Sequence, residues 1–269
     1  MNRAGDAGTP AEIKACCTAA YGSDAVALLL GESYHPGGLE LTRRLASTLG
    51  LGAGQRVVDV AAGSGATTRL LAAEYDATVD GVDLGEDTVR RARTAAEAAG
   101  LAGRIRFHLA DAERIPLPDG AFDAVLCECA FCTFPDKPTA ATEFARLLRP
   151  GGRVGITDVT ITEAGLPEQL RTLTAWIACI ADARPLAQYA DILAAAGLTT
   201  IHTERHDGAI AEMIDQIEAR LRLLRMTAPS RLTEAGVDIE AVLRYTELVR
   251  QAVADGVIGY GLLVAQKPT

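Results

Sequence analysis

Two hydrophobic periods alternate along the chain. Leu41, Leu45 and Leu49 recur every fourth position, the spacing of one helical face, and the glycines that follow end that helix. From Pro10 to about Leu49 the pattern is helical throughout. The period then shortens. "RVVDVAAGSG" (56–65) is a short apolar run entering a glycine turn, which predicts a buried strand, and "ATTRLLAAEYD" restores the helical pattern. "ATVDGVDLG" (77–85), "RIRFHLAD" (104–111), "FDAVLCECA" (122–130) and "GRVGITDVT" (152–160) predict four more strands. "EDTVRRARTAAEAAGL" and "KPTAATEFARLLRPGG" supply helices between them, closed by Gly100 and by Pro150 with its glycines. Strand and helix alternating at this spacing predict an α/β fold with a doubly wound, mostly parallel sheet.

Beyond Thr160 the pattern predicts helices over 166–182 and 185–198, a sixth strand in "TTIHTERHD", and a last strand in "VIGYGLLVAQK" (257–267). Between those strands run two apolar stripes. One carries Ile210, Met213, Ile214, Ile217, Leu221 and Leu224, the other Ile239, Val242, Leu243, Val249 and Val253. They predict two inserted helices. The expected organisation is an N-terminal helical cap over 1–50, a sheet domain over 51–206 and 256–269, and a helical insertion over 207–255.

Composition narrows the function. With 35 acidic against 26 basic residues the net charge is −9, which argues against a large phosphate-binding surface and so against a nucleic-acid partner. No apolar run approaches the ~18 residues of a spanning helix, and the N-terminal stretch lacks a signal-peptide core. A cytoplasmic setting is therefore expected, with Cys16, Cys17, Cys127, Cys129, Cys132 and Cys179 as thiols. The expected partner is a small-molecule or metalloid substrate, with no membrane; the oligomeric state stays open.

Candidate chemistry gathers at the carboxyl ends of the strands, where parallel sheets bind ligands. After strand one, Gly63 and Gly65 allow a tight turn and a close backbone approach. Asp59 precedes that turn, where a carboxylate suits a cationic or hydroxyl-bearing ligand better than a phosphate. Position 68 is Thr, so the dinucleotide fingerprint is incomplete, and no P-loop Lys-Ser/Thr pair is present. Asp83, followed by Leu84, ends strand two where an acid accepts from ribose hydroxyls. Asp111, beside Ala112, ends strand three. "VVDVAAGSGATT", "VDGVDLG", "ADAERIPLPDGAFDAVLC" and "LLRPGGRVGITD" together resemble the class I S-adenosylmethionine-dependent methyltransferases. The resemblance implies a seven-stranded Rossmann-like sheet with S-adenosylmethionine held by Asp59, Gly63, Gly65, Asp83, Leu84, Asp111 and Ala112. Ala61 departs from it, standing where many relatives have the first glycine of the turn.

"CECAFCTFPDK" (127–137) places three thiols at the end of strand four. In an alternating strand Cys127 and Cys129 share a face. Thiolates prefer soft ions, whereas a structural zinc site wants paired knuckles that are missing here; burial as small apolar side chains is the plain alternative. "ACCTAAYG", "CECAFCTFPDKP" and "ACIADARPLAQYADILAAAG" are similar to segments of the arsenite methyltransferases. That resemblance implies a trivalent metalloid held by Cys16 or Cys17, by Cys129 and by Cys179, its lone pair attacking the sulfonium methyl. Cys127 and Cys132 are extra to it. The competing expectation is methylation of a small organic acceptor with His35 of "ESYHPGG" or Glu128 as base. A third is a non-catalytic nucleoside- or metal-binding protein. His202 and His206 read as surface or packing residues.

Overall fold

A computed structural model describes residues 9–31, 33–166, 170, 180 and 182–269. Among these, seven strands form one sheet: β1 Arg56–Val60, β2 Thr78–Asp83, β3 Ile105–Leu109, β4 Phe122–Glu128, β5 Leu148–Ile161, β6 Thr199–Arg205 and β7 Ile258–Gln266. Their order across the sheet is β3-β2-β1-β4-β5-β7-β6. The first five pair in parallel, and β7 runs antiparallel to both β5 and β6. This is the expected doubly wound sheet, its strand order reversing between β1 and β4. Val57, Val58 and Val60 of β1 and Val125 and Leu126 of β4 are fully buried, which explains why these strands read as continuous apolar runs.

Helices α1 (Pro10–Tyr21) and α2 (Asp24–Leu30) lie ahead of α3 (Gly38–Leu49). A capping box opens α1: Glu12 N–H donates to Thr9 Oγ1 at 3.3 Å and Thr9 N–H to Glu12 Oε2 at 2.6 Å, with Pro10 at the first helical position. Ser23 caps α2, accepting from Val26 N–H. The N-terminal cap was expected to extend to residue 50, but α3 belongs to the sheet. Its stripe of Leu41, Leu45, Ala46 and Leu49 is buried in the core. It lies over Gly155 of β5, where a Cβ would come within 2.7 Å of Leu45 Cδ1 and 2.9 Å of Leu49 Cδ1.

Helices α4 (Ala66–Glu74), α5 (Glu86–Ala98), α6 (Lys137–Leu147) and α7 (Leu186–Ala195) complete the layers. The expected helix over 166–182, with Cys179, lies almost entirely outside the described residues. Between β6 and β7 stand α8 (Gly208–Thr227) and α10 (Ile239–Ala254), as the two stripes predict, with a short third helix, α9 (Pro229–Glu234), between them. The sequence reading missed α9 because six residues are too few for a periodic signal.

Candidate active site

Beyond the carboxyl ends of β1, β2 and β4 opens a cavity of about 1100 Å³, including its mouth. The turn after β1 forms its floor. Gly65 holds φ +73° and packs so closely that a Cβ would lie 2.8 Å from Phe107 Cζ, so only glycine fits. A Cβ on Gly63 would meet no neighbour nearer than Tyr34 Cδ2 at 3.7 Å, which leaves space over the loop for a ligand. Ala61 takes the left-handed conformation usually reserved for glycine, φ +58°.

Asp83 ties this turn to β2. Its Oδ2 accepts from Gly63 N–H and its Oδ1 from Gly85 N–H, both at 2.9 Å. Burial pushes its carboxyl above the usual range, with those N–H groups pulling the other way. Asp59 lies deeper, 2% exposed, with Thr68 Oγ1 donating to it at 2.6 Å. Burial raises its carboxyl to about 7, offset in part by the Thr68 hydrogen bond. Asp111 Oδ2 accepts from Lys14 Nζ at 2.7 Å and its Oδ1 from Glu113 N–H at 3.0 Å, while Lys14 also pairs with Glu113. Leu84, 40% exposed, and Ala112 add apolar wall between these acids.

A second polar group sits across the cavity at the end of β4. Glu128, 4% exposed, accepts from Thr67 Oγ1 at 2.6 Å and from Thr42 Oγ1 at 3.1 Å. His35 is buried beside it, Nε2 3.6 Å from Glu128 Oε2. Its Nδ1 lies 3.2 Å from Pro36 O and its Nε2 3.4 Å from Thr42 Oγ1. Tyr21 and Tyr34 stand over the cavity with ring centroids 6.3 Å apart.

The expected thiols divide. Cys17 and Cys129 line the cavity; Cys16 does not. Cys127 and Cys132 are buried in the hydrophobic core, where burial holds the Cys127 thiol well above its ordinary range. The shared face expected for Cys127 and Cys129 is not formed. β4 ends at Glu128, and Cys129 turns left-handed at φ +52°, which breaks the alternation and swings it into the cavity. Cys179 lies outside the described residues. Among the described residues no three His, Cys, Asp or Glu side chains are grouped to hold a metal ion. His202 and His206 both contact Glu204 on β6, consistent with a packing role.

Lys14, Ser33, Tyr34, Thr42 and Thr67 are site residues that sequence reading did not single out. Thr42, a hydroxyl beside the buried stripe of α3, was the one visible signal.

A family model described as a methyltransferase domain matches residues 58–156. The chain is 30% identical over 233 residues to the 27-O-demethylrifamycin SV methyltransferase of Amycolatopsis mediterranei, covering 85% of this chain and 83% of that protein. The chain belongs to the class I S-adenosylmethionine-dependent methyltransferases. It is 36% identical over 124 residues to the methyltransferase GfsG of Streptomyces halstedii, a match that spans 46% of this chain and 45% of that protein. Among solved structures, Haemonchus contortus phosphoethanolamine N-methyltransferase 2 in complex with S-adenosyl-L-methionine superposes with a TM-score of 0.80 at 22% identity, covering 91% of this chain and 56% of that one.

The cavity of this methyltransferase suits that donor. The open cradle above Gly63 admits a ligand to the backbone, and carboxylates at the ends of β1, β2 and β3 complement a molecule that carries a cationic centre, hydroxyls and an amino group. The exposed side chain of Leu84 offers apolar cover for a flat ring.

Proposed function

We propose that this methyltransferase acts on a hydroxyl oxygen of a small organic acceptor, with His35 taking the proton and Glu128 supporting it. The observation that carries the reading is the buried His35–Glu128 pair on the cavity wall. S-adenosylmethionine, when bound, supplies a methyl carbon activated by its sulfonium. The chain's own part is to hold the acceptor oxygen against that carbon and to receive its proton. As the new C–O bond forms and the C–S bond breaks, the hydroxyl proton passes to His35 Nε2. Glu128 balances the imidazolium that results, and Thr42 and Thr67 fix the carboxylate in place. Asp59, Gly63, Gly65, Asp83, Leu84, Asp111 and Ala112 form the donor side in this reading. The relative at 30% identity bears the name of an O-demethylrifamycin methyltransferase, which fits an oxygen acceptor.

The test is transfer of labelled methyl from S-adenosylmethionine to a panel of hydroxylated organic acceptors. His35→Ala is expected to lose roughly 10²–10⁴-fold in kcat with donor affinity retained. Full activity in that variant overturns the assignment of the base.

A second reading rests on Cys17 and Cys129 both lining the cavity. In it a trivalent metalloid such as arsenite is the substrate, bound by those thiolates with Cys179 as the third ligand. Arsenite turnover that is lost in Cys129→Ser and retained in His35→Ala would favour it over the organic acceptor.

A further inference from the structure

Among the described residues four carboxylates line the cavity: Asp59, Asp83, Asp111 and Glu128. Among the described residues Lys14 is the only Lys or Arg on that wall, and it is already paired with Asp111 and Glu113. Arg69 and Arg91 do not line the cavity, and each donates to a backbone carbonyl, Ser64 O and Gly22 O respectively. Phosphate recognition needs uncommitted guanidinium, ammonium or backbone N–H donors; the N–H of Gly63 is taken up by Asp83. By contrast, Ser33 Oγ is buried against the cavity and has no hydrogen-bond partner among the described residues. A buried hydroxyl left unmatched is costly unless a ligand completes it. An uncharged hydroxyl or carbonyl does so without adding a negative charge to a cavity lined by carboxylates.

We infer that the acceptor is an uncharged, hydroxyl-bearing organic molecule, that Ser33 hydrogen-bonds to it, and that the site rejects phosphorylated acceptors. This rests on the oxygen-methylating reading above. It departs from the phosphorylated acceptor in the name of the Haemonchus enzyme, whose fold the chain shares.

The experiment measures binding to the protein loaded with S-adenosylhomocysteine, by calorimetry, of resorcinol against resorcinol monophosphate, with phosphoethanolamine as a further probe. Resorcinol is expected to bind at least about a hundredfold more tightly than its monophosphate, the cost of bringing a second anion close to a buried carboxylate. Ser33→Ala is expected to weaken resorcinol about fivefold and to leave S-adenosylhomocysteine affinity unchanged. The inference is overturned if either phosphorylated probe binds as tightly as resorcinol, or if resorcinol does not bind. A loss of S-adenosylhomocysteine affinity in Ser33→Ala assigns Ser33 to the donor and overturns its part. Failure of the underlying reading looks different: labelled methyl then reaches no hydroxylated acceptor, whichever probes bind.

Discussion

Ala61 holds a backbone conformation that costs an L-residue roughly 1–2 kcal/mol. The ladder around it enforces that geometry, since Ala62 N–H donates to Val82 O at 3.0 Å and Gly65 N–H to Ala62 O at 2.8 Å. Ala61→Gly is therefore expected to raise stability by about 0.5–1 kcal/mol, net of the extra freedom glycine gives the unfolded chain; the urea midpoint measures it. Two residues away in sequence, Asp59 makes the opposite kind of demand. Its carboxyl is raised to about 7 by burial, so the folded state holds a proton that the unfolded state releases near pH 4. Stability from this group is full below about pH 4 and is lost as pH rises through about 7, at up to roughly 1.4 kcal/mol per pH unit. Asp59→Asn should flatten that part of the pH–stability curve, as followed by urea titrations at pH 5, 6 and 7. At this scale the sequence shows which acids end strands but not what each one holds. Asp59 looked like a ligand contact, and the structure gives it to Thr68 as well as to the cavity floor.

The element that matters most to the chemistry is α3. It carries Thr42, which anchors Glu128, and it follows directly on the turn bearing His35. It rests on β5 at Gly155, where no side chain separates strand from helix. Gly155→Ala would push against Leu45 and Leu49, and overpacking of this kind costs about 1–3 kcal/mol. The displaced helix should also lower kcat, by up to about 10²-fold for a shift on the order of 1 Å, with donor affinity little changed. A thermal melt and steady-state kinetics on the one variant read both effects. Strands β1, β4 and β7 were legible because burial on both faces makes each a largely apolar run. The extent of the cap was not, because α3 shows the same helical period whether it covers a cavity or a sheet. The cysteines misled for a local reason. Alternation holds only while a strand continues, and the left-handed turn at Cys129 ends it.

On the scale of the whole molecule, one ion-pair contact joins the N-terminal helix to the cavity rim past β3. Lys14 of α1 reaches Asp111 and Glu113 just past β3. Periodicity carries no trace of such a pairing, since the partners lie on separate elements far apart in sequence. Lys14→Met should release α1, seen as faster amide exchange over residues 10–21 with the sheet unaffected. If S-adenosylhomocysteine binding then slows exchange in wild type but not in the variant, Lys14 couples the helix to the donor site.

The position of β7 has a consequence for how the chain reaches this state. β7 lies between β5 and β6 and is antiparallel to both, yet it follows the whole helical insertion in sequence. During synthesis β6 emerges early and waits with no neighbour, and β5 keeps an open edge, until the last strand of the sheet arrives. That interval exposes two strand edges at once, the condition under which chains pair with the wrong partner. A chain stopped before β7 would therefore be an aggregation hazard, even with β1 to β4 and the turns at their ends already made.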